Sequence, residues 1–250
     1  MSPLPPVGAD GGASQAPALR LEHVTRTFRR GEEVVRALDD VSLVLMPGEF
    51  VAIAGPSGSG KTTLLNVAGG LDRPDAGQVF VGGQELGALS AGALARLRLE
   101  RIGFVFQAFN LVPVLSAEEN AEFVLLMQGV PRADRRARIR GLFARVGLGG
   151  LEGRRPAQLS GGQQQRVAVV RAIASEPTLV LADEPTANLD TATAAALLDV
   201  MEALHHERRT TFLFSTHDPR VMERAHRLIR LRDGRTESDE ALPERPRLSG

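Results

Sequence analysis

Apolar and polar positions alternate over Leu19–Val24 and again over Val41–Leu45, which predicts strands with one covered face. Phe50-Val-Ala-Ile-Ala54 departs from that alternation, being apolar at every position, as a strand buried on both faces requires. A glycine-rich stretch follows it, and Lys61–Ala68 then reads as a helix. From about Ala117 to Arg154 the spacing becomes helical, with Ile139, Leu142, Phe143 and Val146 as apolar positions, so a helical lobe is expected within about 108–172. The arginines Arg135, Arg136, Arg138 and Arg140 read as the solvated face of that lobe. Leu179–Ala182 and Thr211–Ser215 are further apolar runs of core-strand length. Strands alternating with helical segments point to an α/β fold with a largely parallel central sheet, an antiparallel β flank and an inserted helical lobe. Residues 1–18, rich in Pro, Gly, Ala and Ser, read as a disordered leader, and 238–250 as a flexible tail, leaving 19–237 as the folded domain.

Composition narrows the classes. With no cysteine in 250 residues, disulfides and thiolate metal sites are excluded. Thirty basic and thirty acidic side chains cancel, so nothing suggests a footprint for nucleic acid. The longest apolar runs fall far short of the roughly 20 residues that a membrane helix needs. Met1-Ser-Pro-Leu-Pro-Pro lacks the basic and apolar regions of a signal peptide. The expectation is a soluble, cytoplasmic chain unless another chain holds it at a membrane.

The basic residues carry a sharper signal. Lys61 is the only lysine; every other residue in the Lys+Arg total of 30 is arginine. Arginine is a wide planar fork and lysine a compact point charge on a thin stem, so the exception marks a place where space is tight. It lies in Gly55-Pro56-Ser57-Gly58-Ser59-Gly60-Lys61-Thr62-Thr63, which fits the phosphate-binding pattern G-x-x-x-x-G-K-[ST] between a strand and a helix. Backbone N–H groups of such a loop converge on a phosphate, Lys61 neutralises it and the Thr62 hydroxyl ligates Mg²⁺. A nucleoside triphosphate with Mg²⁺ is the expected ligand. Thr178-Leu-Val-Leu-Ala-Asp183-Glu184 then delivers carboxylates to a strand end, Asp183 for the cation and Glu184 to orient or deprotonate water.

Leu159-Ser160-Gly161-Gly162-Gln163-Gln164-Gln165-Arg166, lying between the P-loop and the acidic strand end, resembles the LSGGQ signature of the ABC-type ATPases. Gln107 in Phe104-Val-Phe-Gln107, His217 in Phe214-Ser-Thr-His217-Asp218 and Asn188-Leu189-Asp190 match that family's Q-loop, switch histidine and D-loop. The resemblance covers roughly Leu19–Glu237 and implies a P-loop NTPase core. It implies catalytic roles for Glu184, His217 and Gln107, with Gln107 also near the metal, and an adenine platform at Phe28. It implies that Ser160–Gln163 and Asp190 close in trans on the nucleotide of a second copy, giving an ATP-sandwich dimer.

The compact lobe leaves no room for the long coiled coil of the chromosome-organising relatives, and one set of motifs argues against the tandem translation factors. Gly31–Leu43, Ile102–Leu111 and Leu181–Asp190 resemble the lipoprotein-release and macrolide-exporter (LolD/MacB-like) group. The resemblance implies an ATPase on the cytoplasmic face of the inner membrane, driving separate transmembrane permease subunits. A division-type regulatory ATPase without cargo and a soluble ATP switch are the alternatives. Phe109, Leu111, Val112 and Pro113 fit a partner-facing apolar patch and ordinary lobe packing equally.

Overall fold

The computed structural model describes residues 16–31 and 33–243. β1 (Leu19–Arg30) and β2 (Glu33–Leu45) form a long antiparallel ribbon, and β3 (Phe50–Ala54) leads through the glycine-rich loop into α1 (Lys61–Ala68). β4 (Ala76–Val81), β5 (Gln84–Glu85), α2 (Ala91–Arg101) and β6 (Ile102–Val105) follow. The lobe holds α3 (Ala117–Met127) and α4 (Arg132–Arg145), and α5 (Gly161–Ile173) returns to the sheet. β7 (Leu179–Asp183), α6 (Thr191–Arg208), β8 (Thr211–Thr216), α7 (Pro219–Arg224), β9 (Arg227–Arg232) and β10 (Arg235–Ala241) complete the chain.

The antiparallel flank is a four-stranded sheet in the order β2-β1-β4-β5, and the main sheet is six-stranded, β10-β9-β3-β8-β7-β6. From β9 to β6 every neighbouring pair is parallel. The C-terminal ends of β3, β6, β7 and β8 therefore open on one edge, where ligands sit in sheets of this kind.

Strand alternation divides the interior. Phe50, Val180, Ala182, Phe212 and Phe214 face a core built with α3, α4, α5 and α6. Val51, Ile53, Leu179, Leu181, Leu213 and Ile229 face a second core shared with α1, α2 and the antiparallel sheet. Covered on both sides, β3 has no polar position, which is why its sequence never alternates. The Phe50 ring lies 4.6 Å from that of Phe214 and 5.0 Å from His205 of α6.

Parts of the structure correct the sequence-based expectation. The arginines of α4 are not a simple solvated face. Arg135 is buried against Glu122 (3.2 Å), Arg140 and Arg136 converge on Glu118 (3.3 and 3.7 Å), and Arg138 donates to the Ala174 carbonyl. A helix so dense in arginine reads as exposed until its acidic partners on α3 are in place. The tail is ordered further than Glu237: Ser238–Ala241 continue β10, antiparallel to β9, and Arg227 grips Asp239 through both Nε and Nη2 at 2.7 Å. Being largely exposed, that segment needs no apolar alternation and gave no strand signal. At the other end Ala18 is already buried, its N–H donating to the Leu45 carbonyl at 2.9 Å. Residues 1–15 and 244–250 of the expected leader and tail lie outside the described residues. Among the described residues no helix is long and apolar enough to cross a membrane.

His205 carries a pH consequence. Its Nδ1 lies 2.9 Å from the Thr210 carbonyl, and burial among aromatic rings pushes its pKa below the usual histidine range. Near and below about pH 6.5 the unfolded chain therefore binds a proton that the folded chain resists, and stability falls as pH falls, by at most about 1.4 kcal/mol per pH unit for one proton. His205→Gln keeps an N–H donor but cannot titrate. Urea denaturation between pH 7.5 and 5.5 should show a shallower loss for this variant than for wild type.

Candidate functional site

A cleft of about 550 Å³ opens at the C-terminal edge of β3, lined by Ala37, Ser57, Gly58, Gly60, Lys61, Thr62, Thr63, Gln107, Glu184 and His217. Its floor is the loop Gly55–Gly60. Gly58 and Gly60 hold φ of +80° and +102°, which L side chains rarely adopt. A Cβ on Gly60 would overlap the Ala37 carbonyl oxygen, and one on Gly55 would overlap that of Leu231, so the loop is seated directly on β2 and β9. Gly60 is the N-cap of α1 and offers no side-chain cap, which leaves the helix's first N–H groups for an anion. Lys61 is buried, and its Nζ donates to the carbonyls of Gly55 (2.8 Å) and Pro56 (3.0 Å). Ser59 is buried too, its hydroxyl without a partner among the described residues.

The acidic groups stand opposite. Asp183 ends β7; its Oδ1 accepts from Thr62 Oγ1 at 3.2 Å and from the Ser215 hydroxyl. Glu184 turns into the left-handed region (φ +46°), fixed by its N–H donating to the Ser215 carbonyl at 3.0 Å. Its Oε1 is 2.8 Å from His217 Nδ1, while Oε2 is buried with no partner among the described residues. Leaving a buried carboxylate oxygen unpaired is expensive. Thr186 donates its hydroxyl to Asp218 at 3.0 Å, tying the loop of Glu184 to the loop of His217. The Arg220 fork beside Asp218 holds that carboxyl below its usual range.

The signature segment lies elsewhere. Ser160 caps α5, its hydroxyl accepting from the Gln163 N–H (3.3 Å) while the Gln163 side chain accepts from the Ser160 N–H (2.9 Å). A Cβ on Gly162 would overlap the Thr193 methyl, so the start of α5 packs on the start of α6. Asp190 caps α6, and hydrogen bonds from the Thr193 hydroxyl and amide hold its carboxyl below the usual range. None of Ser160, Gly161, Gly162, Gln163 and Asp190 lines the cleft. Asn188 does reach it indirectly, donating to the Gln107 carbonyl at 2.9 Å. Phe28 is exposed on β1 outside the lining, with the Arg26 guanidinium 4.8 Å from its ring centroid.

Sequence reasoning missed Ala37, Ser215 and the Thr186–Asp218 bond. Ser215 becomes meaningful only through register, since β7 and β8 pair Asp183 with Ser215. The apolar stretch after Gln107 divides: Leu111 packs against the lobe core, whereas Val112 and Pro113 are exposed. Val114 (72% exposed), Phe123, Leu126 and Met127 (59%) are further exposed apolar side chains of the lobe.

The donors suit a hard cation. The Thr62 hydroxyl and the Asp183 carboxylate are already in contact, and the Gln107 amide shares the cleft. Among the described residues no cluster of three or more His, Cys, Asp or Glu could hold a metal alone. That pattern fits Mg²⁺, which keeps waters and takes its remaining ligands from phosphates.

The sequence model of the ABC transporter family matches residues 38–187. The chain is 47% identical to the macrolide export ATP-binding/permease protein MacB 1/2 of Paracoccus denitrificans over 90% of its own length, and spans 33% of that protein. It is 46% identical to an ABC transporter ATP-binding protein of Thermotoga maritima, covering 89% of this chain and 94% of that one. Among solved structures, the ATP-binding cassette MJ0796, dimeric, post-hydrolysis and bound to ADP and Pi, matches with a TM-score of 0.83. That match has 41% identity and covers 90% of this chain and 99% of the cassette.

Seating the loop on backbone carbonyls makes its glycines unequal. Gly58→Ala meets nothing within 4 Å and should cost only left-handed strain, about 1–2 kcal/mol. Gly60→Ala adds a backbone overlap and should cost roughly 3 kcal/mol or more. Urea melts of both variants measure the difference, and equal losses would argue against the Gly60–Ala37 contact.

Proposed function

Because the chain belongs to the ABC transporter family, we propose that it is the ATP-hydrolysing subunit of a membrane transport or mechanotransmission complex, working as a homodimer on transmembrane permease partners. The observation that carries this reading is the convergence in one cleft of the Lys61 ammonium, the Thr62–Asp183 pair and the Glu184–His217 pair. The α1 N–H groups and Lys61 hold the β- and γ-phosphates of ATP, and Thr62, Asp183 and Gln107 hold Mg²⁺. When bound, Mg²⁺ neutralises charge on the phosphate oxygens. The Glu184 carboxylate accepts a proton from the attacking water, and His217 steadies it through Oε1. Phe28 stacks with adenine through its exposed ring.

The cleft of one copy lacks the signature. Ser160–Gln163 and Asp190, grouped where α5 and α6 begin, serve the nucleotide of a second copy, a reading supported by the dimeric MJ0796. The chain spans about a third of the MacB relatives, whose names join ATP-binding and permease functions. Near-full coverage of the Thermotoga protein supports a cassette paired with permeases on other chains at the cytoplasmic face of the membrane. The exposed Val112, Val114, Phe123, Leu126 and Met127 offer those permeases an apolar seat. Within the family, the macrolide-exporter and lipoprotein-release group is the nearest reading.

Lys61→Ala should lose ATP binding. Glu184→Gln should bind ATP, accumulate as a dimer in gel filtration with ATP, and turn over about 10²–10⁴-fold more slowly in a phosphate-release assay; vigorous turnover would remove Glu184 from that role. Met127→Asp should leave turnover of the isolated chain intact. In a pull-down from detergent-solubilised native membranes it should recover less membrane partner than wild type.

A further inference from the structure

The segment after Gln107 is bent in an unusual way. Phe109 and Asn110 both hold left-handed backbone, φ +55° and +49°, although neither is glycine. Successive residues in that region are rare because each places Cβ against its own carbonyl, so the surrounding structure must hold them. Residues of one helical hand also turn their carbonyls the same way. Here both carbonyls meet one side chain: Arg171 of α5 donates Nη1 to the Asn110 oxygen (2.6 Å) and Nη2 to the Phe109 oxygen (2.9 Å).

Arg171, like Arg98 and Arg166, is a partly buried arginine whose bonds go to backbone carbonyls, and it alone of the three spans two successive ones. Arg135, Arg220 and Arg227 each meet a carboxylate, but among the described residues Arg171 makes no ion pair. Burial alone acts on it, lowering its pKa from the usual arginine value. A guanidinium is taken partly out of water to satisfy backbone carbonyls and nothing else. The planar fork reaches the two carbonyls from two separate nitrogens, where a lysine would have to reach both from one.

The same turn meets α5 a second time. The Phe109 ring lies 3.7 Å from where a Cβ of Gly161 would stand, in the first turn of the helix. The Phe109 ring thus lies close to the beginning of α5, and its carbonyl meets the helix near its end. On the other side, Asn188 fixes the Gln107 carbonyl. Residues 107–110 have little freedom to move without α5, and α5 begins at the Ser160 cap.

We propose that Arg171 is a positioning residue that locks the Gln107 segment to α5, so that nucleotide held in the cleft sets the placement of the Ser160 end of that helix. This rests on the reading of the cleft as an ATP site. It predicts a separation of binding from turnover, because Lys61 and the α1 N–H groups are untouched while the surface presented to a second copy shifts.

The test uses the full chain with Arg171→Met, Arg171→Lys and the double variant Arg171→Met/Asn110→Gly. ATP affinity is read with a fluorescent ATP analogue, kcat and KM from phosphate release, and folding from thermal melts. Arg171→Met should keep nucleotide affinity within about twofold while kcat falls about 10-fold or more, with Arg171→Lys between it and wild type. Asn110→Gly accepts the left-handed turn without help but restores no link to α5, so it should leave most of the lost kcat unrecovered in Arg171→Met. Recovery of most of it would make Arg171 a support of the turn alone and overturn the proposal. Unchanged kcat in Arg171→Met overturns the proposal. So does joint loss of affinity, kcat and melting temperature, since that is a folding role. A wild-type chain that binds no ATP would instead remove the reading of the cleft itself.

Discussion

Everything at the cleft is referenced to the parallel pairing of β3 with β8 on one side and β9 on the other. Because β3 is apolar on both faces, it cannot slip by one residue without exchanging the Phe50 and Val51 environments between the two cores. That register decides where the chain leaves the sheet, and so where Gly55 meets Leu231 and Gly60 meets Ala37. β8, locked to the same strand, carries Ser215, which in turn fixes both Asp183 and Glu184. The Asp183 carboxylate and the turn at Glu184 are thus set in part by a hydroxyl and a carbonyl of a neighbouring strand.

The legible parts of the sequence were those in which local chemistry and tertiary environment agree. β3 and α1 begin and end where the apolar run and the glycine loop place them, because a strand buried on both faces has no polar residue to confuse its limits. β10 and the pairing of the α4 arginines were not legible for the opposite reason. Their order comes from partners far away in sequence: Arg227 for Asp239, Glu118 and Glu122 for the arginines of α4. A charged residue looks the same on paper whether water or a carboxylate faces it.

At the site the motif spacing brought Lys61, Thr62, Thr63, Gln107, Glu184 and His217 to one cleft. It could not give the supporting bonds, since Ser215, Thr186 and Asp218 act through register and loop approach. Nor does a single chain gather the remaining motif residues there. Ser160, Gly162 and Asp190 are organised with one another, through caps on α5 and α6 and the Gly162–Thr193 contact. Their mutual order without a place in the cleft is what a surface built to meet another molecule looks like.

The preference for arginine has a chemical result beyond geometry. Guanidinium groups are poor nucleophiles at neutral pH, so a surface furnished with them resists acylation, carbamylation and aldehyde addition. The chain's single ε-amine, Lys61, is instead buried and tethered to the carbonyls of Gly55 and Pro56. Side-chain amine modification in this protein therefore has one address. A reagent that finds it reports on the glycine-rich loop before α1, without the background that a lysine-rich surface would contribute.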